Sequence, residues 1–484
     1  MSPGLKNSIL GGIFWTTIQL VVNRSFAFVI KLVLARILFP EEFGLIGMAV
    51  VFTSFIEVFN DLGFGAAIVQ KKENSIDEKH YHTAFWTGII WSIFLYICII
   101  TLVAPLAGNF YREPILEEII PVLSLGILIN PVNLVHKAQL TRDLNFRKLT
   151  YINNSSSIFA GCISLVLAFL NFGVWSLVFN SVATYAAALP MFFLATGWKP
   201  KLIWDNGAFK DIFGFGINTM GTQVFNNLIN KFDYLVIGKL LSVSSLGVYT
   251  LAFTLTDTFR GQLMSVMNSV MYPIYGKKQD DKISLTKYYL KVVKYNSIVV
   301  DGIMMLLILF AEPIVLAFFG DKWIDTIIPL QILSLSVIFH MMVSSNTSLI
   351  RGMGKPGLEF RLQLFKSLVL YIPLIFFGTM YYGTTGAAMA ILVNKIFSVI
   401  IAQYYLKKLL GISIGALFHA TKPALLSLVI ASCGGFISFN VLGIYWMVSA
   451  FVSILLYLIS LYFMVGNDIK TELTGMDKLK TVLK

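Results

Sequence analysis

Five basic residues sit inside stretches of the chain that are otherwise apolar: Arg24, Lys31, Lys231, Arg260 and Lys395. Arg24 and Lys31 are seven apart and share one helix face. A charge left against hydrocarbon costs about 2.5–3.5 kcal/mol, so such residues face a cavity or a partner. A second polar signal accompanies them. Thr219, Gln223, Asn226, Asn230 and Asp233 are spaced by four, three, four and three, which draws one stripe along a helix. Thr16, Gln19 and Asn23 make a shorter version, bordered by Arg24 and Lys31. The plain use of such a stripe is hydrogen bonding between helices. The sharper use is to line a wet cavity in which amides and cations replace the water around an anionic headgroup. No covalent chemistry is implied. The cavity candidates are therefore Asn23, Arg24, Lys31, Gln223, Asn226, Asn230, Lys231 and Arg260.

The elements that must carry these residues follow from composition. The chain has 484 residues, 57% of them apolar and 13% charged. Soluble domains run at about 45–50% and 25%, so a water-soluble enzyme is excluded. Mean hydropathy is +0.78, and apolar segments run from Ile9 to Val465 almost without pause. The fold class is all-α, a polytopic membrane protein. A helix needs about 20 residues to cross the hydrocarbon, and on that rule the chain divides into about 14 spans. The first apolar run, Ile9–Leu38, is longer than a signal-peptide core and lacks a small-residue cleavage site, so no cleavage is expected.

Charge placement supports that division. With fourteen spans, 28 of the 37 Lys and Arg collect on one side, and only Arg36, Arg112, Lys239 and Lys322 on the other. The excess predicts that both termini are cytoplasmic, and it accounts for the net charge of +12 without nucleic acid. The longest inner connection, 276–294, is basic, and the outer ones are short. Cys98, Cys162 and Cys433 each lie in apolar stretches and read as core residues, not a disulfide framework.

An ungapped offset of 203 residues matches the first two spans to the seventh and eighth. Identities include Gly11/Gly214, Thr16/Thr219, Asn23/Asn226, Leu38/Leu241, Gly44/Gly247 and Ala49/Ala252, with Arg36/Lys239 conservative. The chain reads as two six-helix lobes, 1–205 and 206–406, followed by a terminal pair and tail, 407–484. Parallel repeats of this kind place a site between halves that rock. Among the membrane acids, Asp257 and Arg260 are three apart and can pair on one helix. Glu57 aligns with Arg260 in the repeat, which suggests an ion pair between lobes as a gate. Asp233 and Asp257 are the acids to which a coupling H+ or Na+ would bind; no other cofactor is expected. Asp61 and Asp301 lie nearer span ends, where solvation is expected, and His340 reads as a core histidine.

No catalytic signature appears. A GxxxxGK[ST] loop is missing, since Gly352-Met353-Gly354-Lys355-Pro356 lacks the spacing and its proline lacks an N–H. There is no HExxH, and the five histidines are scattered, so no metal site is expected.

The run Leu34-Ala35-Arg36-Ile37-Leu38-Phe39-Pro40-Glu41-Glu42-Phe43-Gly44, with Asp61-Leu62-Gly63-Phe64-Gly65 and Val69-Gln70-Lys71-Lys72, resembles the polysaccharide transporters of the Wzx type. The resemblance is closest to the lipopolysaccharide and teichuronic acid exporter branch of the multidrug/oligosaccharidyl-lipid/polysaccharide superfamily. Asp233-Tyr234-Leu235-Val236-Ile237-Gly238-Lys239, Phe319-Gly320-Asp321-Lys322-Trp323 and Arg351-Gly352-Met353-Gly354-Lys355-Pro356 extend it in order. It implies a fourteen-helix, two-lobed flippase that carries an undecaprenyl-pyrophosphate-linked oligosaccharide across the bacterial inner membrane. The partners it implies are that anionic lipid-linked sugar, the bilayer and other polysaccharide-assembly membrane proteins. It also implies that basic residues of the first and eighth helices face the cavity, which here are Arg24, Lys31 and Arg260. The alternatives are an ion-coupled multidrug antiporter of the same superfamily and a membrane polysaccharide polymerase. The basic excess argues against the first, and the short outer loops against the second.

Overall fold

The computed structural model describes the backbone of residues 3–60, 64–71 and 76–482. Side chains are described over the same stretches except 3–14, 16, 17, 20, 21, 66, 214–223, 266, 269 and 467–482. Asp61 and the side chains of Thr16, Thr219 and Gln223 therefore lie outside the described residues. The described chain is helical, with no strand. It divides into two compact units, 1–247 and 248–484.

The first unit holds α1 (Pro3–Ile37), α2 (Pro40–Asn60), α3 (Phe64–Gln70), α4 (Glu78–Cys98), α5 (Ala104–Tyr111), α6 (Leu116–Leu123), α7 (Leu125–Arg142), α8 (Phe146–Phe169), α9 (Val174–Thr196) and α10 (Asn206–Leu240). A π turn, Ile99–Val103, joins α4 to α5. α1 lies along α8, α8 along α9, and α10 packs on α2, α3 and α4. From Val243 begins α11 (Val243–Lys277), whose first residues belong to the first unit. The second unit continues with α12 (Lys282–Leu309), α13 (Ala311–Phe318), α14 (Ile327–Met341), α15 (Asn346–Gly352), α16 (Pro356–Phe365), α17 (Ile372–Leu410), α18 (Ile414–Phe436) and α19 (Trp446–Val482). α17 is two helices: Gly383 has φ 59 and ψ −142, a backbone that suits glycine, and there the chain doubles back.

Ten helical stretches among the described residues are long and apolar enough to cross a membrane, one of them the folded-back Pro356–Leu410. Large apolar side chains stay outside, as Leu194 at 86% and Phe463 at 82% exposed illustrate. Water would penalise such a surface and lipid does not. The chain is a multi-pass membrane protein.

The basic connection expected over 276–294 is mostly helix. The Asp281 carboxylate accepts from Ser284 N at 3.0 Å and caps α12 directly after α11 ends. Leu285, Tyr289, Val292 and Val293 are buried while Lys282, Lys287 and Lys291 stay exposed, an amphipathic start that hydropathy alone reads as loop. The early start also moves Asp301 into the helix interior. It is 1% exposed, and Oδ1 has no partner among the described residues, so the expected solvation at a span end fails.

The connection between α9 and α10 is clasped onto α4. Trp86 Nε1 donates to Lys201 O at 2.8 Å, and Lys201 N to His82 Nδ1 at 3.1 Å. Asp205 N donates to Thr83 Oγ1 and Trp204 Nε1 to Thr87 Oγ1, both at 3.0 Å. Trp198 stacks on His82 with centroids 5.1 Å apart. His82→Phe keeps the ring and removes the acceptor, leaving Lys201 N–H unpaired. The expected cost is about 1–3 kcal/mol, read as faster proteolysis within 198–205 in detergent-solubilised protein. Unchanged protection would show that the clasp does not hold this connection. Where α4 begins, His80 hydrogen-bonds the Asp77 carboxylate at 2.6 Å and holds it below the usual carboxylate range.

α2 and α11 begin against one another. A Cβ on Gly44 would stand 1.9 Å from Val243 O, and one on Gly247 1.7 Å from Pro40 O. Pro40 and Val243, like Gly44 and Gly247, are 203 positions apart, so the contact is reciprocal under the sequence repeat.

Candidate functional site

The second unit gathers cations that lie far apart in sequence. Lys395 of α17 feels Arg260 of α11 and Lys366 of the π turn Lys366–Tyr371, with Asp257 as the attracting acid. His340 of α14 feels the same three cations. Arg260 Nη2 donates to Asp257 Oδ1 one helical turn away, the pairing that the spacing suggested. Lys395, Lys366 and Arg260 are all half-buried. Glu359 pulls on Lys366 as Asp257 does on Lys395, so three cations against two carboxylates leave this wall net basic. A diphosphate suits such a wall: guanidinium binds two phosphate oxygens at once, and ammonium acts as a point charge.

The first unit carries the remaining candidates on three helices. On α1, Arg24 and Lys31 are exposed, while Asn23 is half-buried and donates from Nδ2 to Asn153 O of α8 at 3.5 Å. Asn23 therefore helps to hold α1 on α8, and Arg24 projects from another face. On α10, Asn230 is exposed, Asn226 half-buried and Asp233 2% exposed, with Asp233 Oδ1 accepting from Tyr234 N at 3.0 Å. The stripe thus runs along the border between packed and open faces. Its Asp233 end is buried. Lys231 stands 5.0 Å over the Tyr234 ring and attracts Glu57 of α2.

Glu57 opens onto a cavity of about 190 Å³. Thr53, Glu57 and Asn60 share one face of α2, at steps of four and three. Asn130 of α7 with Ser181 and Tyr185 of α9 completes its polar lining.

Two contributors escape the sequence analysis, and a third is legible only in part. Asn227 donates to Ser54 O at 3.1 Å, tying α10 to α2. It neighbours Asn226 but falls off the three–four stripe. In the sequence Lys366 stands at the edge of an apolar stretch, and only the continuous run from α16 into α17 makes it part of the basic wall. Lys395 was legible as a membrane-depth cation, but its nearness to Arg260 required the tertiary packing.

Comparison with known proteins matches this architecture. The chain is 23% identical over 443 residues to the teichuronic acid biosynthesis protein TuaB of Bacillus subtilis (strain 168), covering 91% of this chain and 90% of that one. It is 24% identical over 417 residues to the lipopolysaccharide biosynthesis protein WzxC of Escherichia coli (strain K12), covering 84% and 83%. The structure of lipid II flippase MurJ in an inward closed conformation superposes with a TM-score of 0.71 at 15% identity, over 95% of this chain and 100% of that one. Its fold is therefore shared, as the polytopic helical reading expected. The model of the family described as polysaccharide biosynthesis protein matches residues 33–328, and with more than half of its length inside that match the chain belongs to this family.

Proposed function

We propose that the protein is a flippase that moves an oligosaccharide linked to undecaprenyl pyrophosphate across a bacterial inner membrane, for assembly of a cell-surface polysaccharide. The observation that carries the reading is the cluster of Arg260, Lys395 and Lys366 in the second unit, with Asp257 and Glu359 as the nearby acids. Such a wall is costly to keep in a bilayer and repays its cost only when an anion occupies it. Arg24, Lys31 and Lys231, with Asn23, Gln223, Asn226 and Asn230, supply further contacts to the headgroup, while the polyprenyl tail stays in lipid.

The cycle needs no bond making. The sequence lobes 1–205 and 206–406, with 407–484 appended, alternate in exposing the site, both termini staying cytoplasmic. A coupling H+ or Na+ would act through Asp233 or Asp257. Similarity to proteins named for teichuronic acid and lipopolysaccharide biosynthesis supports a glycan cargo. The test is the leaflet distribution of lipid-linked oligosaccharide in cells with and without the gene, scored with an impermeant sugar-modifying reagent. Deletion is expected to accumulate protected, inward-facing material. An unchanged distribution would refute the reading, and outward-facing unpolymerised material would assign a polymerase instead.

A further inference from the structure

One end of the second unit carries a basic surface that moving the cargo does not use. Two connections meet there, the turn between α11 and α12 and the link from α15 into α16. A Cβ on Gly352 would stand 2.5 Å from Tyr275 Cβ and 3.3 Å from Gly276 N, and one on Gly354 3.5 Å from Gln279 Oε1, so the link lies against the turn. With the helix turns on either side, they expose Lys277, Lys278, Lys282, Lys287, Lys355 and Arg361. Two of the three acids in these connections are engaged. The Asp281 carboxylate caps α12 through Ser284 N, and Glu359, 7% exposed, accepts from Arg351 Nε at 3.0 Å. Asp280 is the third.

We propose that this surface docks on the headgroups of anionic phospholipids, phosphatidylglycerol and cardiolipin, in the leaflet on its own side of the membrane. With cytoplasmic termini, that leaflet is the inner one. The 28 residues of α12 span about 42 Å, against a hydrocarbon core of about 30 Å. Its apolar run continues to its end at Leu309, so the excess length falls at its start, where Lys282 and Lys287 reach the headgroup layer. Apolar side chains beside the cations distinguish a bilayer surface from a soluble acidic partner. Ile283 is 84% exposed next to Lys282, and Phe360 is 40% exposed next to Arg361. At the boundary between headgroups and acyl chains the apolar side chain enters lipid while the neighbouring cation meets a phosphate. Each cation at an anionic membrane surface strengthens binding about fivefold, so several together select charged lipid over neutral lipid. None of these six cations belongs to the basic wall, and the docking does not depend on the identity of the cargo.

The experiment uses the purified full chain in dodecyl maltoside, without cargo. Binding of fluorescent phosphatidylglycerol is measured with unlabelled phosphatidylglycerol, cardiolipin, phosphatidylcholine and soluble glycerol phosphate as competitors. The two anionic lipids are expected to compete about tenfold better than phosphatidylcholine, and binding to weaken about tenfold between about 50 and 500 mM NaCl. Lys277→Gln, Lys278→Gln, Lys282→Gln and Lys287→Gln combined are expected to weaken it about tenfold or more. A control that removes as much charge from exposed lysines of the first unit, Lys79→Gln, Lys137→Gln, Lys199→Gln and Lys210→Gln combined, is expected to bind as the wild type does. Ile283→Ser, which leaves the charge unchanged, is expected to weaken binding about threefold. A wild type that binds phosphatidylglycerol no better than phosphatidylcholine would overturn the proposal and leave the surface to solvent or to an acidic protein. Equal losses in the two quadruple variants would overturn it by assigning the preference to net charge, and glycerol phosphate competing as well as the lipid would do so by assigning a soluble anion. Because no cargo is present, these outcomes are independent of whether the flippase reading holds.

Discussion

Replacing Arg260 or Lys395 by Ala is expected to abolish delivery of lipid-linked oligosaccharide while the protein still inserts at normal abundance. A hydrogen bond to a charged group is worth about 1.5–3 kcal/mol, so each loss should weaken diphosphate binding roughly 10- to 100-fold. Arg260→Lys keeps the charge and loses the two-pronged geometry, so an intermediate loss is expected. Lys395→Met separates function from packing. Lys395 lies half-buried beside two other cations, so removing its ammonium relieves desolvation and repulsion and should raise thermal stability while export falls. A merely structural lysine would show the opposite pattern on stability. Polymer output in cells, binding of polyprenyl diphosphate by purified protein, and melting in detergent check the three expectations. Normal output from both Arg260→Ala and Lys395→Ala would remove the basic wall from the mechanism.

The second large effect is expected at the crossing of α2 and α11. An Ala side chain at Gly44 or Gly247 would place Cβ within 2 Å of a backbone carbonyl oxygen, so each substitution must push the two helix starts apart. Overpacking of this kind costs about 1–3 kcal/mol, and here the obstacle is backbone, which cannot rotate away. Both single variants should melt lower and export poorly. Gly44→Ala with Gly247→Ala should cost less than the sum of the two, because one crossing yields to either change. Strict additivity would mean that the contacts are independent and that the reciprocity has no energetic meaning. Melting temperature in detergent for the four members of the cycle decides the point.

Why the sequence disclosed some of this and hid the rest has physical reasons. Composition and hydropathy reveal a polytopic helical chain because lipid demands apolar exteriors at every crossing. The repeat that predicted Gly44 and Gly247 as equivalents is legible because backbone contact permits only glycine there. Asp257 with Arg260 is legible because it is local, one turn apart on α11. Lys366 was hidden because only the unbroken run from α16 into α17 carries it into the wall, and the cavity around Glu57 because packing between helices distant in sequence assembles it. The amphipathic half of α12 was hidden for another reason: its exposed lysines mimic a loop to any hydropathy measure, although a buried face runs through Tyr289 and Val293.

The central claim is translocation of a lipid-linked diphosphate sugar. Purified protein in proteoliposomes that contain labelled lipid-linked oligosaccharide provides the most direct measurement, with leaflet access read by an impermeant oxidant. Wild-type protein is predicted to render nearly all of the label accessible, while liposomes containing Arg260→Ala protein leave about half protected, as empty bilayers do. Protection of half the label in the presence of wild-type protein would contradict the account.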